Sequence, residues 1–198
     1  MKARYLLLAV ALGTGCAQAQ AQAPGPGPLA AGGQVASAGD RHKLARGDRN
    51  FIDDAASSGM FEVQIGQLAA SKATDLNVKN FANMLVDQHK AANNELVKIA
   101  TAKGVELPAA PKHSLRREID KLGKKNGEEF DRDFVREVGI KAHQKDIRMF
   151  EHARKDVKDA DLRAWVDKTL PTLREHLVMA EKLPQSGKNA ATMGGNKR

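Results

Sequence analysis

Four residues, Glu62, His89, His143 and His176, stand where apolar residues are expected. The stretch "NMLVDQHKAANNEL" shows the pattern. Val78, Ala82, Leu85, His89, Ala92, Leu96 and Ile99 recur at steps of four and three, the seam of an amphipathic helix. His89 fills one core-facing place in that seam. His176 does the same in the series Val166, Thr169, Leu173, His176, Ala180, Leu183. His143 has Ile140, Ile147 and Phe150 at helical spacing around it. Glu62 shares a face with the small residues Ala55, Gly59, Gly66 and Ala69. Neutral imidazoles with a carboxylate suit a zinc, iron or copper ion. The other reading is a hydrogen-bonded His/Glu cluster that fixes helix register, because a buried polar group without a partner is costly. Asp87, Asp146 and Met179 are candidate supporting groups around the four, and Asp146 follows His143 by one helical step. Met60, Met84 and Met149 read as core filler. His42, His113 and His152 read as surface or linker residues.

Long helices must carry these side chains to one level. The expected helices are 49–73, 76–103, 128–155 and 160–182, the last kinked at Pro171, which lacks an amide hydrogen. Asp48 is a candidate N-cap for the first and Asp75 for the second. Gly104 with Val105 fits a glycine C-cap. Pro108 and Pro111 break the chain, and a short amphipathic helix over 114–124 lies in a connection spanning 104–127. No strand pattern is present. Two hairpins joined by a long connection make an all-α four-helix bundle with one crossover. At 1.5 Å of rise per residue, the four polar seam residues reach similar heights. "DLNVKNFANML" and "DLRAWVDKTL" form a faint internal echo, each followed by one of the histidines.

The first residues concern location. Residues 1–23 read as an export signal, with Lys2 and Arg4 before a short apolar run from Tyr5 to Leu12. That run is too short for a permanent membrane span. Cleavage after Gly15 would leave Cys16 to carry a lipid and tether the chain to a membrane. Cleavage after Ala19, Ala21 or Ala23 would discard Cys16. Either way the expected location is the periplasm or outer membrane, and the folded part has no cysteine for a disulfide or thiolate site. Residues 24–47 read as a Gly/Pro/Ala linker, 48–184 as the bundle, and 185–198 as a disordered basic tail.

The net charge of +8 falls to +6 without Lys2 and Arg4. No aromatic residues interleave with the basic tail, so nucleic acid is not an expected partner. Protein partners and oligomeric state are left open. No nucleotide-binding glycine loop, nucleophile elbow or Ser-His-Asp pattern is recognisable, and the chain reads as non-enzymatic. Metal-dependent oxidoreductase, metal carrier and membrane-tethered interaction module stand as alternatives.

The segments "FIDDAASSGMFEVQIGQLAASKA", "VKNFANMLVDQHKAANNEL", "TAKGVELP", "FDRDFV", "AHQKDIRMFE" and "LRAWVDKTLPTLREHL" resemble the bacterial family called domain of unknown function 4142. Members are often labelled predicted outer membrane proteins and grouped with ferritin-like bundles. The resemblance covers about residues 48–183. It implies an exported ferritin-like helical bundle, with a role in envelope or stress physiology, and no established activity. Di-iron ferritins use paired Glu-x-x-His motifs. Here Val86, Ile140 and Leu173 hold the places three residues before the histidines, which argues against ferroxidase chemistry.

Overall fold

The computed structural model describes residues 44–184. The expected export signal, Cys16, most of the expected linker, His42 and residues 185–198 lie outside the described residues. Within them the elements are α1 (Arg46–Lys72), α2 (Leu76–Ala102), α3 (His113–Gly123), α4 (Gly127–Asp133), a π-helical segment (Phe134–Ala142), α5 (His143–Asp156) and α6 (Ala160–Glu181). No strand occurs among the described residues, and no helix there is long and apolar enough to cross a membrane.

α1 and α2 form one hairpin, and the rod from α4 to α5 forms the other with α6. The crossover passes through α3, which buries Leu122 and lays Leu115 and Ile119 against the core. Its entry is held on α1, where the Lys112 N–H donates to Ser57 Oγ at 2.8 Å. α2 ends as expected. Gly104 adopts φ 65°, the left-handed turn that glycine takes without a Cβ penalty, and the Val105 N–H returns to the Ala100 carbonyl at 2.9 Å. α6 runs on through Pro171.

Two features differ from expectation. Asp48 does not cap α1, which starts earlier, after Ala45. Its carboxylate instead accepts the backbone N–H groups of Lys158 and Asp159, in the turn between α5 and α6. Asp131 on α4 does the same for the turn between α1 and α2, accepting from Thr74 N–H, Thr74 Oγ and Asp75 N–H. Each hairpin thus clamps the other's turn with one buried aspartate. Asp75 and Asp159 in turn cap α2 and α6.

The second difference is the π segment, which interrupts the single helix expected over 128–155. The matched clamps explain it. Asp48 to Asp131 and Phe51 to Phe134 are separated by one common spacing. Ala69 to Ala153, Ala73 to Val157 and Asp75 to Asp159 are separated by a spacing one residue longer. The second hairpin therefore holds one extra residue between Phe134 and Ala153, and a widened helical turn absorbs it without breaking the rod. The same register places Glu62 opposite Asp146 in the two hairpins. It also corrects the internal echo: Asp75 corresponds to the cap Asp159, not to Asp161, so His89 matches Leu173 and His176 matches Ala92.

The core falls into two apolar clusters along the bundle. One gathers Phe51, Ile52, Leu96, Phe150, Trp165 and Leu170. The other gathers Phe61, Ile65, Phe81, Leu85, Phe130 and Phe134. On every long helix the chain passes from one cluster to the other, and the buried polar residues Glu62, His89, His143, Asp146 and His176 lie at or beside that passage.

Candidate metal centre

One histidine comes from each of α2, α5 and α6. Each sits on the buried stripe of its helix, so folding the two hairpins together brings the rings into mutual contact. Their centroids are 5.2 Å apart for His143 and His176, 5.3 Å for His89 and His176, and 5.7 Å for His89 and His143. One ring nitrogen from each lies within 4.8 Å of the others. All three are buried: His143 is 0 %, His176 1 % and His89 6 % exposed.

The hydrogen bonds dictate tautomers. His143 Nδ1 is 2.9 Å from the Val138 carbonyl, five residues back in the π segment. A carbonyl only accepts, so Nδ1 carries the proton and Nε2 is bare. That bare Nε2 is 3.2 Å from His176 Nδ1. On its far side, His176 Nε2 is 2.7 Å from Gln88 Oε1. With the amide oxygen facing the ring, Nε2 donates and Nδ1 is bare as well. Two lone pairs then face each other, which repels unless a cation stands between them. The alternative is a turned Gln88 amide, an assignment that rests on the network itself. His176 Nδ1 then donates to His143 Nε2 in a neutral chain. The third ring is simpler: His89 Nε2 is buried and has no hydrogen-bond partner.

Burial keeps these rings uncharged. His143 is pushed down to about 4, chiefly by desolvation, and His176 to about 3, by desolvation and then by the nearby His143. His89 is held well below the ordinary histidine value by burial first, then by His143 and His176. Neutral imidazoles at neutral pH are the form that binds metal.

The carboxyls behave oppositely. Glu62 is 0 % exposed, and neither of its oxygens has a partner. Burial, then Asp146 and Glu118, pushes its pKa well above the usual range. Asp146 is raised to about 6 by burial, against the opposing bond from Ser58 Oγ at 2.7 Å. Glu62 does not fall within the 4.8 Å set that the three imidazoles make.

Of the remaining expected residues, Asp146 is in the buried layer, and Asp87 and Met179 are not. Asp87 is exposed. It lies two residues from His89, and residues so spaced do not share a helix face. Gln88 is the α2 residue that supports the site, through His176. Met179 is 37 % exposed, because the following residue, Ala180, takes the inward place in the last turn of α6. Met84 and Met149 pack against the core clusters, and His113 and His152 are exposed. Val138 and Gln88 are the functional residues that sequence reasoning missed. One acts through its carbonyl, which no side-chain pattern reports. The other reaches in from an exposed position beside the seam.

A family model described as Domain of unknown function (DUF4142) matches residues 33–183. The chain belongs to this family. Two solved structures share the fold of this DUF4142 chain. A DUF305 protein from Streptomyces coelicolor, assigned as secreted, superposes with a TM-score of 0.58 at 10% identity, covering 68% of this chain and 89% of that one. A DUF305 fragment from Deinococcus radiodurans gives 0.61 at 14% identity, covering 70% and 95%. At such identities the likeness concerns the fold alone. Comparison of the sequence with curated proteins finds no match.

Proposed function

We propose that this DUF4142 bundle is an exported metal-binding protein that holds one first-row transition-metal ion on His89, His143 and His176. The observation that carries this reading is the 3.2 Å separation of His143 Nε2 and His176 Nδ1, with both outer nitrogens already directed at oxygen acceptors. Two nitrogens bound to one tetrahedral ion at 2.0–2.1 Å lie about 3.3 Å apart. Metal-bound histidines characteristically donate their other N–H to a carbonyl or carboxylate, the part that Val138 and Gln88 play here. The unpartnered His89 Nε2 supplies the third donor. Zinc, copper and iron all accept imidazole, and copper(II) is favoured by intrinsic affinity. A metal carrier or metal-dependent oxidoreductase of the cell envelope is the corresponding role. An export signal cleaved after Gly15, with a lipid on Cys16, would hold the bundle at the outer membrane, whereas cleavage after Ala19, Ala21 or Ala23 would leave it in the periplasm; mass spectrometry of the mature N-terminus separates the two.

A second reading has its own observation. With Gln88 turned over, His176 and His143 form a closed neutral hydrogen-bond chain that fixes register without metal. Competition titration against a chromophoric chelator separates the two. The metal reading predicts one zinc or copper ion per chain, lost in both His143→Ala and His176→Ala. No uptake by the wild-type chain contradicts it.

A further inference from the structure

His89 alone of the three histidines borders a small space between the helices. It is a cavity of ≈ 20 Å³ lined by His89, Ser58, Asn93, Asp146 and Thr169, with Ala55, Ala92 and Trp165 closing its apolar side. That volume holds about one water molecule. Its polar groups come from four helices: Ser58 on α1, His89 and Asn93 on α2, Asp146 on α5 and Thr169 on α6.

The chamber is built by specific residues. A Cβ on Gly59 would stand 1.9 Å from Asn93 Oδ1, so only glycine there lets the Asn93 amide lie against α1 in the wall. Ser58 Oγ donates to Asp146 Oδ2 at 2.7 Å, which ties that carboxyl to α1 in the chamber wall. Asp146 stands one helical step after His143, and His89 belongs to both the chamber and the imidazole cluster. A guest here meets hydrogen-bonding side chains and a ring of the metal-binding set together.

We propose that this chamber is the open coordination position of the metal centre, where a water-sized or diatomic ligand binds the ion beside Asp146 and Ser58. The inference rests on the three-histidine reading above. Three protein ligands with a fourth position left to a small exogenous ligand describe sites that exchange ligands. Structural sites close all four positions with protein. The size of the chamber sets the ligand class: water, hydroxide or a two-atom molecule fits, and a bulkier ligand does not.

The test uses the full chain loaded with cobalt(II), whose visible spectrum reports coordination, and cyanide as a two-atom probe. Cobalt content is measured before and after. The expected result is one cobalt per chain, a spectral change at about one cyanide per cobalt, and unchanged cobalt content. Ala55→Val adds two methyl groups to the chamber wall, and Ala92→Val does so from the opposite helix. Either variant that folds should keep its cobalt and lose the cyanide response by tenfold or more in affinity. Failure of the wild-type chain to bind cobalt overturns both this inference and the three-histidine reading. Cobalt binding with no spectral change, or with a change due only to cobalt loss, overturns this inference alone. So does a cyanide response that survives in a folded, chamber-filled variant.

Discussion

Replacing His89 with leucine should give a protein more stable than wild type without metal and less stable than wild type with it. His89 is 6 % exposed, and its Nε2 has no hydrogen-bond partner. An unpartnered buried polar group costs about 1–3 kcal/mol. Leucine is of similar size and continues the Leu85 and Leu96 seam. Without metal, His89→Leu should therefore be more stable than wild type by about 1–2 kcal/mol. With metal the sign changes. An ion at a thousand times its dissociation constant stabilises the folded state by about 4 kcal/mol, and the variant keeps only two of the three donors. For a folded part of this size that corresponds to a rise in melting temperature of roughly 10–15 °C, present in wild type and absent in the variant. The assay is thermal or urea unfolding of both proteins, first with a chelator and then with excess zinc. A variant that loses stability in the chelator and gains as much as wild type from zinc would refute the reasoning on both counts.

Glu62→Met removes two buried oxygens that have no partners, so urea unfolding of the metal-free protein should show a gain of about 1–3 kcal/mol; a loss of that size would mean that Glu62 has a partner. Metal-free stability should fall as pH drops from 6.5 toward 4. His143 and His176 titrate at about 4 and about 3 when folded, against 6.5 unfolded, so in that interval the unfolded chain binds more protons, at about 1.4 kcal/mol per pH unit per histidine. Asp146, raised from 3.8 to about 6, and Glu62, raised well above the usual carboxyl range, act with the opposite sign, because their protons favour the folded state, but two carboxyls offset only two of the three imidazoles, His89 being lowered as well. Urea midpoints across that range, flat or rising on acidification, would contradict the assignment. Asp48→Asn and Asp131→Asn should each cost about 1–3 kcal/mol through their matched turn clamps and leave metal stoichiometry unchanged; a loss of metal in either would tie the clamps to the site.

Much of the bundle is legible in the sequence because a repeat of four and three needs only apolar spacing to be recognised. The hairpins, the crossover helix and the caps at Asp75 and Gly104 follow from local rules. The imidazole layer is legible for the same reason: a histidine in a leucine seam is an anomaly, and equal heights make three anomalies meet. What escapes is tertiary. Asp48 looks like a helix cap, yet its acceptors serve a turn far along the chain. The π segment follows from one extra residue, visible only once the two hairpins are placed in register. Asp87 and Gln88 are neighbours in sequence, and the helical rotation between them decides which one reaches His176. Glu62 shares the layer's character without entering the set of nitrogens, a distinction that helix height alone does not contain.

The most direct test of the three-histidine centre is X-ray absorption on tag-free protein loaded with one equivalent of zinc or copper. The account predicts one ion per chain with three nitrogen donors, at about 2.0–2.1 Å for zinc, and an imidazole signature that disappears when His143 is replaced. An ion held mainly by oxygen donors, or a spectrum unchanged by replacing His143, would contradict it.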